Sequence, residues 1–389
     1  LEYSVLGLNG LQLEIAPYSP VDCLAFGKLM GYTFSGRDLQ QEPRRQRIRE
    51  VLDDARWNLW NAPFPYDYFP TTIAEEDLPQ LAAMRMPAED TPEAPVSPAP
   101  PAAELTAPPT DASNAWAVSG ALTESGKPML ASDPHQGIDM PNLWYEIGLH
   151  SAPDNGEPAL NLYGYCAPLL PFVQAGHNDY IAWGLTNVSG SNALDLFRIR
   201  VNPGNPLQYE WDGAWRDMTV REEVIEIAGG DDITLAVRET HLGPLAPADA
   251  YPPIEPGEAL AIRWEGLNSG TIGRTGPRLG FAKNFEEFRE ALRHWDYPAA
   301  NIPYADVEGN IGFVQCGKFP IRPAGVDGLT PTPGWSSDYA WRGFIPFELL
   351  PHVKNPASGI VVASNQPAVP FRYTGYIAQE LGDNRSEEH

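Results

Sequence analysis

Ser113 stands at a change of texture, where TAPPTDASNAWAVSG (106–120) passes from a proline-rich run into strand-like sequence. A serine hydroxyl is a weak nucleophile until a base takes its proton. The chain offers no G-x-S-x-G elbow, and no His/Asp partners are advertised. One route needs no partner side chain. A cut before Ser113 would turn its own α-amine into the base, with a reference pKa of about 7.7–8.0. Small Ala112 leaves room for attack on its carbonyl, and exposed proline-rich chain is where cuts concentrate. Composition alone favours the ordinary reading, a serine at a loop-to-strand junction. Taken singly, His135 in SDPHQG reads as a strand-end turn residue, and Asn301 in NIPYAD as a turn or cap residue. GHND (176–179) is ordinary turn chemistry, and HLGP (241–244) carries no assigned role. Cys23, Cys166 and Cys316 are far apart and form no CxxC pair, which argues against zinc, thioredoxin-type chemistry and a disulfide framework.

The elements that must position these residues fall into three parts. Residues 1–84 have helical character. Ser19-Pro20-Val21-Asp22 predicts an N-cap, a proline at the first helical position and an acidic first turn, followed by an apolar face of Leu24, Ala25, Leu29 and Met30. A second helix is predicted over about Arg44 to Trp60, with Ile48, Val51, Leu52 and Ala55 at helical spacing. Residues 85–112 read as an extended spacer, since eight of the 26 residues from Arg85 to Thr110 are proline. Residues 113–389 read as one large mixed domain. Its predicted strands are Ala115–Ser119, Trp144–Leu149, Leu160–Tyr165, Ile181–Thr186, Leu196–Val201, Val224–Ile227, Ile233–Arg238, Ala259–Trp264, Ile311–Gln315 and Ile360–Ala363. One helix interrupts them, capped by Asn284 with Glu287 three residues on, and with Phe285, Phe288, Leu292 and Trp295 on one face.

The stretch SNAWAVSGALTESGKPMLASDPHQGIDMPNLWYEIGLHS resembles the start of the β-chain in the penicillin acylase family of N-terminal-nucleophile hydrolases. The resemblance continues through PFVQAGHNDYIAWGLTN, LDLFRIR, NIPYADVEGNIGFVQCGKFPIR, WRGFIPFELLP and NPASGIVVASNQP, and SPVDCLAFGKLMGYTFSG is similar to the family's α-chain. It implies an α+β fold, the αββα four-layer sandwich of stacked antiparallel sheets. It also implies autoproteolysis at Ala112–Ser113, an acyl-enzyme on Ser113, and two cleaved chains that stay together as a heterodimer. The implied substrate is a small-molecule N-acyl amide, and the acyl-pocket aromatics would come from Trp57–Tyr68 and Pro141–Tyr145. By motif position, the main chain at His135 would support the serine amine and hydroxyl. Asn301 would be the oxyanion-hole asparagine, the main-chain N–H of Asn187 its second donor, and Arg322 a support for that asparagine or for a polar substrate end. The chemistry requires no cofactor. A structural calcium ion is implied at Asn192, the carbonyl of Leu194, Asp195 and Asp306, with SNALD supplying fewer carboxylates than the family pattern. Relatives are commonly exported, which implies a periplasmic or extracellular location. Family precursors are longer, so the chain reads as a fragment or truncated form; the alternative to an enzyme is a catalytically silent, unprocessed binding module.

Bulk composition narrows the remaining classes. With 51 acidic against 26 basic residues, the formal charge of −25 repels phosphate backbones and anionic membranes, so neither nucleic acid nor membrane is an expected partner. No apolar run approaches a membrane span, and Leu1 opens the sequence without a basic n-region or an apolar h-region.

Overall fold

The computed structural model describes residues 19–60 apart from 36, residues 70–74, residue 77, and residues 113–370 apart from 138–141, 155–157, 169, 171, 189–193, 228 and 324. The spacer, Ala112 and Asn192 therefore lie outside the described residues. The front segment holds α1 (Pro20–Ser35), α2 (Arg37–Val51) and α3 (Asp54–Trp60). The strands are β1 (Ser113–Val118), β2 (Met129–Pro134), β3 (Tyr145–Ser151), β4 (Leu160–Cys166), β5 (Ala175–His177), β6 (Ile181–Trp183), β7 (Thr186–Asn187), β8 (Leu194–Asn202), β9 (Asn205–Trp211) and β10 (Ala214–Asp217). They continue as β11 (Thr219–Ile225), β12 (Ile233–Thr240), β13 (Gly243–Pro244), β14 (Glu258–Trp264), β15 (Ala300–Asp306), β16 (Ile311–Cys316), β17 (Thr332–Pro333), β18 (His352–Lys354) and β19 (Ile360–Ala363). Two helices, α4 (Thr275–Phe281) and α5 (Phe285–Leu292), precede β15. Among the described residues no helix is long and apolar enough to cross a membrane.

Three layers surround the residues of interest. The central layer is an eight-stranded antiparallel sheet, β18-β16-β15-β6-β5-β4-β3, with β7 also paired to β15. Period-two alternation sends Ala300, Ile302 and Tyr304 to one face, where they pack with Phe285, Phe288 and Leu292 of α5. The α5 residues are fully or almost fully buried, each stabilising the contact by roughly 1.5–3 kcal/mol. The other face packs on the three-stranded sheet β19-β1-β2, through Ala305, Ile311 and Phe313 against Ala117, Val361 and Ala363. Gly184 sits where these sheets come closest; a Cβ there would lie 3.1 Å from the Cβ atoms of Ala115 and Ser132. A third sheet, β10-β9-β8-β14 with β17 parallel to β8, carries the front helices, and β11-β12-β13 forms a separate ribbon.

The front helices depart from the sequence reading. The predicted apolar face of α1 is largely outside: Leu24 is 51% and Leu29 59% exposed. The buried positions Cys23, Gly31 and Ser35 fall four apart with Gly27 between them, so α1 docks by a stripe of small residues. Gly31 lies so close to Tyr297 that a Cβ would be 2.6 Å from the ring. The helix predicted over Arg44–Trp60 is two helices, beginning at Arg37 and broken at residues 52–53. Asp53 causes the break, because its carboxylate accepts the Arg56 N–H at 2.8 Å as an N-cap of α3. Pro43 is accommodated inside α2. Val51 and Trp60 remain exposed. The Ser19 start and the Asn284 cap are present: Ser19 donates to Asp22 from its N–H at 2.7 Å and its hydroxyl at 2.8 Å, and Asn284 accepts the Glu287 N–H at 2.9 Å. The predicted strand Ile181–Thr186 is interrupted at Gly184-Leu185, where Ser132 accepts the Leu185 N–H at 3.1 Å. The strand placed at Val224–Ile227 is Thr219–Ile225.

Candidate active site

Ser113 opens β1 and shares the face of Ala115 and Ala117, which points at the eight-stranded sheet. Asn301 lies on β15 with Pro303 and Ala305, on the face that points back. The two side chains thus occupy the same interlayer space, and their residues are 4% and 1% exposed. Pairing in the sheet brings three polar residues into one row, with Thr186 of β7 opposite Asn301 and Gln315 of β16 opposite Asn301 on its other side. Gln315 donates its Nε2–H to Asn301 Oδ1 at 3.1 Å. In this pairing Asn301 Nδ2 is buried without an acceptor and Gln315 Oε1 without a donor. A buried, unpaired amide donor costs free energy, so it marks a place where an acceptor is expected.

A second asparagine ties the two sheets together. Asn365, in the turn after β19, accepts the Ser113 N–H on Oδ1 at 2.7 Å and donates Nδ2–H to the Asn187 carbonyl at 2.7 Å. One N–H partner and one carbonyl partner leave a single consistent orientation for its amide. Its backbone is left-handed at φ 66°, a conformation asparagine tolerates better than most residues. The turn is built by Gln366, whose Oε1 accepts from the Ser364 N–H and hydroxyl and whose Nε2 donates to the Val362 carbonyl at 2.9 Å.

A cavity of about 230 Å³ reaches Ser113, Thr186 and Asn187. Its walls meet β15 at Ala300, next to Asn301, and include Met30 and Phe34 of α1 together with Phe172, Trp144 and Trp295. Tyr297 closes one side, and burial pushes its phenol up to about 12, so it stays neutral. The lining is apolar with a few polar atoms at the Ser113 end, the arrangement of a site that takes a greasy group and reacts at its polar end. Of the aromatic segments singled out in the sequence, Trp144 lines the cavity, whereas Tyr145 is exposed and Trp57 and Trp60, tilted against each other, are not part of its lining. Residues 61–68 lie outside the described residues.

Other sequence-derived candidates fall as follows. His135 follows Pro134, the strand partner of Ser113, and its Nε2 turns to the Asp133 carboxylate at 3.1 Å. Asn187 is paired with Ala300 beside Asn301. Arg322 is in a buried ion pair rather than a surface one. Its Nε and an Nη donate to the two oxygens of Asp195 at 2.9 and 2.6 Å, with side chains 6% and 1% exposed. The Trp341 indole donates to the same carboxylate at 2.5 Å. This pairing bears on calcium. An arginine fork on both carboxylate oxygens is not the environment of a cation ligand. Asp306, on the eight-stranded sheet, accepts from the Tyr304 hydroxyl at 2.8 Å and from Asn310. Among the described residues no three His, Cys, Asp or Glu side chains converge as a metal site. Of the implied ligands, Leu194, Asp195 and Asp306 are described, and Asn192 lies outside the described residues. GHND is a turn with a buried centre, where Asn178 accepts the Tyr180 and Ile181 N–H groups and donates to the carbonyls of Leu279, Gly280 and Ala282.

A family profile described as Penicillin amidase matches residues 1–387. The chain belongs to the penicillin amidase family. Among its relatives are an acyl-homoserine lactone acylase QuiP of Pseudomonas fluorescens (strain Pf0-1), 33% identical over 72% of this chain and 34% of that protein, and a penicillin G acylase of Escherichia coli, 32% identical over 65% and 28%. The chain therefore spans about a third of the length of the curated relatives it matches. Its fold is that of a thermostable penicillin G acylase from Alcaligenes faecalis, with a TM-score of 0.58 at 29% identity over 66% of this chain and 44% of that one. Within this penicillin amidase framework, sequence reasoning missed Asn365 and Gln315. Both lie in quoted motifs, SNQP and GFVQC, and the signal was a polar residue ending or interrupting an otherwise apolar strand run.

Proposed function

We propose that this chain carries the nucleophile of an N-acyl amide hydrolase that acts once the Ala112–Ser113 bond is hydrolysed. The observation that carries the reading is the buried, acceptor-less Nδ2 of Asn301, facing the layer from which Ser113 projects. In the proposed reaction the Ser113 α-amine takes the hydroxyl proton as Oγ attacks the amide carbonyl. The carbonyl π electrons move to oxygen, and the oxyanion accepts the Asn301 Nδ2–H and, as second donor, the main-chain N–H of Asn187. Neutral amide donors in a buried setting suit this role because they are already oriented and need not reorganise. Collapse of the tetrahedral species breaks the C–N bond. The ammonium returns its proton to the leaving amine, and an ester remains on Ser113. Water, deprotonated by the same amine, then releases the acid and restores the hydroxyl. The apolar cavity supports an apolar acyl group, aliphatic or aromatic, and the named activities of the relatives support an N-acyl substrate.

After such a cut the front segment is expected to stay bound. The buried Glu42 accepts the Leu196 N–H, Lys28 donates to the carbonyls of Gly266 and Asn268, and Ile73 N–H donates to the Ala368 carbonyl. Intact-mass analysis tests the reading, with two chains meeting at Ala112/Ser113 as the expected result. Ser113→Ala should give one chain and no turnover of a chromogenic N-acyl amide. Asn301→Ala should lower kcat by about 10²–10³-fold. A single uncut chain that stays inactive on long incubation, or turnover by Ser113→Ala, would overturn it.

A further inference from the structure

We infer that Asn365 is a positioning residue for the nucleophile, holding the Ser113 nitrogen on one side while it anchors the Asn187 carbonyl on the other. The inference rests on the reading of Ser113 as the residue freed by cutting. The geometry is that of a bridge between layers, since Oδ1 lies 2.7 Å from Ser113 N and Nδ2 lies 2.7 Å from the Asn187 oxygen. Ser113 belongs to the three-stranded sheet and Asn187 to the eight-stranded one. A single side chain thus sets the separation between the nucleophile and the strand edge where an oxyanion would form.

An α-amine that serves as a base must aim its lone pair at its own hydroxyl. A free amine rotates about its Cα–N bond, so something must hold it. An acceptor on one N–H fixes that rotation, and Asn365 Oδ1 is such an acceptor. The residue is 6% exposed, which removes competing water. Its carbonyl is neutral, which matters as much as its place. A carboxylate at the same position would favour the ammonium and withdraw the base at neutral pH. Among the described residues, the titratable groups on the strand beside Ser113 or lining its cavity are Asp133 and His135, bonded to each other on the exposed side of β2, and Cys23 and the neutral Tyr297 across the cavity. None of them is a fixed charge buried beside the nitrogen. The left-handed φ of 66° completes the case: it turns the chain sharply after β19, and only Asn, Asp or Gly adopt it readily.

Two variants of the full protein test the inference. Asn365→Gly keeps the backbone conformation and deletes only the bridge. Its kcat should fall by about tenfold or more at nearly unchanged KM, with a melting temperature lowered by only about 2–5 °C for the two lost hydrogen bonds. Asn365→Asp keeps the acceptor and adds charge, so the acidic limb of its kcat/KM profile should move to higher pH by about 1–3 units. A Gly variant that folds like the parent yet stays uncut also supports the bridge, because the same bond is made to the peptide nitrogen of the uncut chain. The inference is overturned if the Gly variant keeps the parental kcat, if it melts far below the parent (a purely structural role), or if the limb of the Asp variant does not move. An uncut, inactive parent defeats the reading of Ser113 itself, whereas an active parent with an unmoved limb defeats only the role of Asn365.

Discussion

Replacing Arg322 by methionine should destabilise the protein far more than a surface ion pair would. Arg322 and Asp195 are 6% and 1% exposed, bonded through two N–H groups at 2.6 and 2.9 Å. The variant Arg322→Met keeps much of the side-chain volume but leaves the Asp195 carboxylate buried with the Trp341 indole and without its counter-charge. Breaking one side of a buried pair costs about 3–5 kcal/mol, against 0–1 kcal/mol for an exposed one. Unfolding entropy is roughly 2.1 cal/mol/K per residue near the midpoint, or about 0.8 kcal/mol/K for 389 residues. The melting midpoint should therefore fall by roughly 4–6 °C. Differential scanning calorimetry of parent, Arg322→Met, Asp195→Leu and the double variant reads this directly. The double variant should recover part of the loss, because it removes both charges. The same samples test the calcium assignment, since millimolar calcium or a chelator should leave the parental midpoint unchanged. A midpoint drop below about 1 °C in Arg322→Met, corresponding to an exposed pair, would refute the argument, as would a parental midpoint raised by calcium.

Three further outcomes follow from the packing. Gly31→Ala places a Cβ 2.6 Å from the Tyr297 ring and should cost about 1–3 kcal/mol, measured by urea unfolding, because Tyr297 is itself packed in the core. Asn178→Ala strips partners from the carbonyls at the end of α4 and from two N–H groups, and should cost roughly 2–4 kcal/mol by the same assay. His352 is held below its ordinary pKa, chiefly by burial. Its neutral form is therefore favoured in the folded state, and the stability it contributes is present above about pH 6.5 and lost as pH falls through the folded pKa. His352→Gln should accordingly lose less stability than the parent between pH 7.5 and 5.5, and an equal loss would refute the assignment.

What the sequence made legible was whatever rested on local chemistry or on large apolar side chains. The Asn284 cap with Glu287, the Ser19 start and the β8 and β14 strands could be read because each announces itself within a few residues. Strand β15 could not, since ANIPYAD is buried on both faces and carries proline and asparagine where a strand is not expected. The docking face of α1 was missed because hydrophobic periodicity counts large residues, whereas that helix approaches through Cys23, Gly27, Gly31 and Ser35. Resemblance supplied Ser113, Asn187 and Asn301, which pairing then gathers around one interlayer space. It did not reveal that Arg322 and Asp195 pair with each other, because a motif gives residue identity but not which partner a side chain meets after folding. Asn365 and Gln315 act through a neighbour, and no spacing rule encodes that relation.

Glu42 carries a consequence for how the chain can be divided. Its carboxylate, wholly buried, accepts the Leu196 N–H at 3.1 and 3.2 Å on the flank of β8 away from its β14 partner. Further along that flank β17 pairs at Phe197 and Arg198 and β9 at Val201 and Asn202, and a helix from before the spacer covers the stretch at Leu196. Produced without residues 1–112, the part beginning at Ser113 would bare the Leu196 N–H and the apolar surface on which Leu39 of α2 packs. It should self-associate rather than fold alone, so the front helices act as an internal guard against aggregation as well as one wall of the cavity.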